Sequence, residues 1–164
     1  MDKSIITALI ISLIIPLTSV AQNGEKAKSV EKIELEWLSW NEGYPKAQET
    51  GKILLIDLYT DWCGWCKKMD KDTYAKSEVI NMIEEDFIPV KFNPEKTNIT
   101  YDVDGTKVNG RQLMGMLVRN QRVGYQTTIF LFTEERKVYL EPGYKNKERF
   151  ITTLNKYKKV KSEL

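Results

Sequence analysis

Both cysteines of the 164-residue chain, Cys63 and Cys66, lie in the stretch "YTDWCGWCKKMD", and each follows a tryptophan. Cysteines at this spacing can form a redox couple, a short structural disulfide or part of a metal site. A disulfide across so short a loop removes little entropy from the unfolded chain, about 2 kcal/mol against about 3 for a 15-residue loop. A zinc site needs about four ligands, and the chain has no histidine and no third cysteine. The redox couple is the favoured interpretation, and no metal is expected.

The redox interpretation depends on the elements that carry the pair. Residues 53–59, "ILLIDLY", form a nearly continuous apolar run, which is typical of a central strand buried on both faces. A helical pattern follows the motif, so Cys63 is expected at a helix N-terminus, where free N–H groups and the helix dipole favour a thiolate. Cys66, one turn later, is expected to be more buried and to resolve the mixed disulfide that Cys63 forms with a substrate.

Three further residues near the pair are candidates for the site. Asp57 lies inside the apolar strand, where desolvation should raise its pKa, and a buried acid can take the proton of a resolving cysteine through a water or directly. Its alternative is a structural capping or pairing role. We expect Trp62 to shield the sulfurs and Trp65 to lie on the docking face, with a core position as the alternative for each.

The rest of the chain predicts an α/β sandwich with a mixed sheet. The expected elements, in order, are a first strand through Ile33, Leu35 and Trp37, a helix ending at Gly51, the strand 53–59, a helix to about Asp72, a short helix capped by Ser77, the strand "DFIPVKF", a hairpin at Asp104 and Gly105, the helix "GRQLMGMLVRNQRV", the antiparallel strands "TTIFLF" and "KVYLEPG", and an amphipathic closing helix.

The N-terminus indicates export. Residues 1–21 have the charged start, short apolar middle and small-residue end of a cleavable signal peptide, with an uncleaved membrane anchor as the alternative. Residues 22–30 are a predicted flexible leader, and residues 31–164 a single domain with a small hairpin insertion near 95–109. The net charge of +2 argues against a nucleic-acid partner. A monomer in the periplasm or outside the cell is expected.

The segment "DWCGWCK" resembles the active-site motif of the thioredoxin superfamily, especially that of exported bacterial thioredoxin-like proteins. The resemblance extends from about Trp37 to Leu154 and implies a three-layer sandwich, with a central mixed sheet flanked by helices. It also implies a buried acid six residues before the nucleophilic cysteine, matched by Asp57, and a lysine on the next strand that approaches this acid, matched by Lys91. The alternative for Lys91 is a solvated strand residue.

The sequence departs from this family opposite the cysteines. The family has a cis-proline in a context such as "GYPTT", whereas this chain has Tyr125 and Gln126 in "VGYQTTIFLF". A cis bond before glutamine costs about 3 to 4 kcal/mol. We therefore expect either a trans bond with a reshaped loop or a strained cis bond held by its surroundings. Both residues are predicted to contact substrate, and the Gln126 amide is a candidate for that contact.

The resulting functional prediction is an exported thiol:disulfide oxidoreductase that reduces protein disulfides and needs no cofactor. The absence of histidine between the cysteines favours a reductant, because a histidine there would make the disulfide oxidising. Outside the cytoplasm its electrons would come from a membrane-embedded thiol shuttle. The alternatives are a disulfide oxidase or isomerase, and a peptide-binding module whose disulfide stays idle.

Overall fold

A computed structural model describes residues 34–119 and 121–164 of the chain. Its elements are α1 (Trp40–Thr50), β1 (Ile53–Leu58), α2 (Gly64–Met69), a π-helical turn (Asp70–Tyr74), α3 (Ser77–Asp86), β2 (Phe87–Phe92), β3 (Tyr101–Val103), β4 (Thr106–Val108), α4 (Gly110–Val118), β5 (Thr127–Phe132), β6 (Lys137–Pro142) and α5 (Lys147–Ser162). The predicted signal peptide and leader lie outside these residues. Within the described ranges, every helix is too short or too polar to cross a membrane.

The four long strands form one mixed sheet in the order β2-β1-β5-β6. β1 pairs in parallel with β2 and antiparallel with β5, and β5 pairs antiparallel with β6. All six residues of β1 are buried, as its continuous apolar run predicted. The predicted α/β class with a mixed central sheet is confirmed. Since β1 is an inner strand, its last residues lie between two neighbouring strands.

Successive side chains of β1 point to opposite faces of the sheet, so both faces carry apolar side chains. Helices cover both faces. Leu54, Ile56 and Leu58 belong to a core cluster with residues of α1 and α4. Ile53 and Leu55 belong to a second cluster with residues of α3, α5 and the π-helical turn. The three layers agree with the predicted sandwich. By the same alternation, Asp57 lies on the second face of the sheet.

The predicted first strand is wrong in extent. Ile33 lies outside the described residues, and the segment after it pairs with the sheet only through Leu38, as an isolated parallel bridge to Val90. The Leu38 N–H donates to the Pro89 carbonyl, and the Lys91 N–H donates to the Leu38 carbonyl. Pro89 has no N–H to continue this ladder toward the N-terminus. The proline in β2 therefore limits the pairing to a single bridge.

The helix boundaries show two further differences from the sequence prediction. The helix that follows the cysteines gives way after Met69 to the π-helical turn, which extends to Tyr74. Ser77 does not cap α3 but is its first helical residue, and Lys76 occupies the N-cap position. The predicted hairpin is present as β3 and β4, and both turn residues, Asp104 and Gly105, have positive φ.

Gly110, the first residue of α4, offers a test of the packing. An added Cβ would lie 2.5 Å from the Pro94 carbonyl oxygen, a backbone atom that cannot rotate away, whereas nothing lies within 4 Å of a Cβ at Gly115 in the same helix. We expect Gly110→Ala to lower the free energy of unfolding by about 1–3 kcal/mol. Gly115→Ala should raise it by about 1 kcal/mol. Urea unfolding measures both, and equal stability of the two variants would contradict this packing.

Candidate active site

Cys63 and Cys66 form a disulfide at the junction between β1 and α2. Cys63 is the N-cap residue of α2, and its Sγ accepts a hydrogen bond of 3.2 Å from the Cys66 N–H. Cys63 is 7% exposed and Cys66 is 3% exposed, in the predicted order. Once the bond is reduced, the same N–H and the start of the helix stabilise a thiolate on Cys63. The geometry therefore suits Cys63 to attack and Cys66 to resolve.

Asp57 and Lys91 lie side by side on neighbouring strands. They are register partners in the β1/β2 pair, and the Lys91 Nζ is 3.3 Å from the Asp57 Oδ2. The same Nζ donates a hydrogen bond of 2.5 Å to Asp70 Oδ1. The rings of Trp37 and Tyr59 flank the ammonium at 5.2 and 5.0 Å. Lys91 is thus half-buried and approaches the acid as the resemblance implied, and it is not a solvated strand residue.

Burial sets the protonation of Asp57. The side chain is almost fully buried, and this desolvation raises the pKa of Asp57 to about 6, although Lys91 opposes the rise and Asp70 adds to it. Burial disfavours the charge on Lys91, but Asp57 and Asp70 outweigh this and raise the pKa of Lys91. Tyr74 lies next to the acid, and burial followed by the Asp57 charge raises the pKa of Tyr74 well above its usual value. An acid with a pKa near 6 can exchange a proton with a thiol near neutral pH.

Exposed aromatic rings surround the cysteine pair. Trp62 is 66% exposed and Trp65 is 60% exposed, so neither occupies the core position that was their alternative. Trp62 donates its indole N–H to Glu95 and packs edge-on against Tyr125, with ring centroids 5.2 Å apart. Trp65 packs against Tyr144 at 5.6 Å. We call the exposed Trp62 and Trp65 and the partly buried Tyr125 and Tyr144 the docking surface, because aromatic rings of this kind suit contact with a polypeptide.

Gln126 fixes the loop opposite the cysteines through hydrogen bonds of its backbone and its side chain. The Tyr125–Gln126 bond is trans, and Gln126 has a φ of +73°, so the first of the two expected outcomes is the one observed. Its N–H donates to the Leu58 carbonyl, and its carbonyl accepts from the Gly143 N–H. Its amide nitrogen donates to the Trp65 carbonyl at 2.8 Å. The amide nitrogen proposed for a substrate contact is therefore already engaged within the protein.

The fold brings the predicted residues into one region and adds others that the sequence did not reveal. Asp57 and Lys91 meet through strand register, and Gln126 contacts Trp65 between the two cysteines. The residues that sequence reasoning missed are Asp70, Tyr74, Glu95 and Tyr144. Asp70 had one signal, since it follows Cys66 by four residues and can lie one helical turn further on the same side. Tyr74 lies at the end of the same turn, while Glu95 and Tyr144 come from distant segments, and none of the three belongs to a recognisable motif.

The mixed sheet covered on both faces, with a disulfide-forming pair between a central strand and a helix, defines a protein of the thioredoxin-like fold. Residues 26–162 match the Thioredox_DsbH family, described as "Protein of unknown function, DUF255", and the chain belongs to this family. The solution structure of a thioredoxin from Thermus thermophilus is similar in fold, with a TM-score of 0.57 and 17% identity, over 76% of this chain and 88% of that one.

Two curated relatives are much longer than this chain. Spermatogenesis-associated protein 20 from Homo sapiens is 23% identical over 144 residues, which cover 73% of this chain and 18% of that protein. Thiol:disulfide interchange protein DsbD from Tatumella citrea is 27% identical over 112 residues, which cover 67% of this chain and 17% of that protein. The chain therefore spans less than a fifth of either relative.

Proposed function

We propose that this protein is exported and reduces disulfide bonds in other proteins. The observation that carries the proposal is the position of Cys63, whose Sγ caps α2 and accepts the Cys66 N–H just after the strand that carries the buried Asp57. This arrangement supports a thiolate on the first cysteine and a proton acceptor near the second. The similarity to a thiol:disulfide interchange protein adds support for exchange chemistry.

The proposed reaction has two exchange steps. The Cys63 thiolate attacks one sulfur of a substrate disulfide, and the other substrate sulfur leaves as a thiolate that takes up a proton. Asp57, as a carboxylate, then accepts the Cys66 thiol proton. The Cys66 thiolate attacks Cys63 Sγ, which forms the Cys63–Cys66 disulfide and releases the second substrate thiolate, protonated in turn. The protein loses two electrons and the substrate gains them. The Lys91 charge favours the carboxylate form of Asp57, so that an acceptor is available before this step.

Substrate docking would use the docking surface around the cysteines. Both backbone groups of Gln126 are already hydrogen-bonded within the protein, so they are not available to pair with an extended substrate. Tyr125, which precedes Gln126 and packs against Trp62, is the better placed residue of the loop. Substrates would therefore be gripped mainly by aromatic contacts.

The reductive direction and the location rest on the sequence. No histidine is present to make the disulfide oxidising, which favours a reductant. The signal-like pattern of residues 1–21 supports export to the periplasm or beyond, where a membrane-embedded thiol shuttle would supply electrons. The protein would act as a monomer on protein substrates.

Insulin reduction, together with a redox titration, tests this proposal. With a supplied reductant, the purified chain should accelerate insulin reduction, and the Cys63–Cys66 couple should equilibrate in glutathione buffers near −270 mV, as in thioredoxin. A potential near −120 mV would indicate an oxidase. A chain that cannot turn over insulin despite a reducible disulfide would instead support the binding module, which the engaged backbone of Gln126 favours.

A further inference from the structure

The Lys91 ammonium lies between two carboxylates and contacts them at different distances. Its hydrogen bond goes to Asp70 Oδ1 at 2.5 Å, whereas Asp57 Oδ2 lies 3.3 Å away. Asp57 Oδ2 is fully buried and has no hydrogen-bond partner within residues 34–119 and 121–164. Strand register places Lys91 opposite Asp57, yet the more exposed acid takes the hydrogen bond. The contact of Lys91 with Asp57 is therefore a longer and less well directed ion pair, in which the Lys91 charge lowers the pKa of Asp57 more than hydrogen bonding does.

Asp70 lies at the junction between α2 and the π-helical turn. It is the C-cap of α2, and its N–H donates to the Cys66 carbonyl, so it lies one helical turn after Cys66. The turn that starts there places Tyr74 in the core. Such turns are rare and often occur at functional sites. The side chains of Asp57, Lys91 and Asp70 are 4%, 22% and 40% exposed, so the three groups lead from the interior to the surface.

We propose that Asp70 is a positioning residue, which holds the Lys91 ammonium and so prevents it from forming a shorter, well-directed hydrogen bond to Asp57. The buried acid can then take up and release a proton in the pH range where the dithiol exchanges one. This inference rests on the proposed dithiol function, because the proton concerned is the one that leaves Cys66. It assigns a task to a residue outside the cysteine motif and its acid–lysine pair.

The physical reason is the sensitivity of a buried carboxylate to its partner. An opposite charge within about 4–6 Å lowers a carboxyl pKa by about 1–3 units, and a direct hydrogen bond to the carboxylate lowers it further. With the Lys91 hydrogen bond, Asp57 would hold a proton less readily and would be a weaker base for Cys66. The charged and titratable groups that face Asp57 are Lys91 from β2 and Asp70 and Tyr74 from the π-helical turn. From β5 its register partner is Thr128, which does not titrate and contacts the Tyr74 hydroxyl.

A cavity open to solvent lies next to Lys91 and Asp70. It has a volume of about 320 Å³, and Asp70, Lys91, Trp37 and Tyr74 contribute to its wall. Its lining includes no residue of the docking surface. A substrate on the docking surface would therefore leave Lys91 and Asp70 in contact with solvent, while Asp57 itself stays buried outside the cavity lining.

The test is a titration of the Asp57 side-chain carboxyl by carbon-detected NMR, on the full chain with its disulfide intact. Asp70→Asn should lower the Asp57 midpoint by about one pH unit, since Lys91 is then free to bind the buried acid. The matched control is Asp72→Asn. Asp72 lies in the same turn, but its partners are Lys68 and Tyr144. This control should leave the midpoint unchanged, and an equal shift in both variants would overturn the proposal.

A second background separates positioning of Lys91 from simple repulsion between the two acids. Asp70→Asn should shift the Asp57 midpoint less in a Lys91→Met background than in the wild-type chain, because no ammonium remains to be released. A shift of the same size or larger without Lys91 would mean that Asp70 acts through its own charge, and the proposal would be wrong.

The titration needs no substrate, so it can fail independently of the proposed function. An unchanged midpoint in an Asp70→Asn variant of an active insulin reductase removes this inference alone. The expected shift in a protein that cannot reduce insulin removes the proposed function alone. In an active enzyme, the acid limb of the pH–rate profile for turnover should move with the Asp57 midpoint.

Discussion

Replacing Cys66 with serine is expected to stop turnover and to trap substrates as mixed disulfides on Cys63. The Cys63 thiolate can still attack a substrate disulfide, but no thiol remains within reach to resolve the product. Disulfide reduction should fall by about 10³-fold or more, as when an enzyme loses a covalent nucleophile. Non-reducing gels and mass spectrometry of the Cys66→Ser variant, incubated with an oxidised protein substrate, measure the adduct.

The matched control is Cys63→Ser. A serine remains a good N-cap residue, so α2 should keep its start, and the variant should fold. It should lose turnover as fully as Cys66→Ser but accumulate no adduct, because Cys66 is only 3% exposed and sits behind the N-cap. If the adduct formed on Cys66 instead, the assigned order of attack would be reversed. An absence of adduct in both variants would contradict nucleophilic exchange at this pair.

The central strand and its acid could be predicted because their signals are local. A strand buried on both faces requires a continuous apolar run, and "ILLIDLY" provides one directly before the cysteines. Asp57 stands out because it interrupts that run with a charge. Predicting the pairing of Asp57 with Lys91 required the family resemblance as well, because neither segment alone determines the register between β1 and β2.

The parts of the site that escaped prediction depend on tertiary contacts. The role of Asp70 requires Lys91, a partner 21 residues away on β2. Gln126 could be recognised as a departure, but its trans bond and its hydrogen bond to Trp65 depend on the packing of the loop against α2. The sequence alone does not determine whether Trp62 and Trp65 are exposed, because a tryptophan beside an active site can pack in the core or lie on the surface.

Asp57→Asn is expected to slow resolution of the mixed disulfide while it stabilises the fold near neutral pH. An asparagine cannot accept the Cys66 proton, so decay of the mixed disulfide at pH 7 should slow by about 10²-fold. Stopped-flow measurement of single turnovers follows this step. The matched control is Asp61→Asn, since Asp61 is an exposed acid just before the cysteines that pairs with Lys96. That variant should resolve the intermediate at the wild-type rate, and equal slowing in both would argue against proton transfer by Asp57.

The effect on stability has a definite sign. Burial raises the pKa of Asp57 from 3.8 to about 6, so the fold favours the protonated acid. The stability that this preference contributes is fully present below pH 4 and is lost as the pH rises through about 6. The pKa difference of about two units corresponds to a loss of about 3 kcal/mol, at about 1.4 kcal/mol for each unit. An asparagine does not ionise, so the variant does not lose this stability. Urea unfolding at pH 4 and pH 8 should therefore show a smaller decline for Asp57→Asn than for the wild-type chain. Equal declines would mean that Lys91 fully compensates the buried charge, and Asp57 would then lack the raised pKa that suits it to serve Cys66.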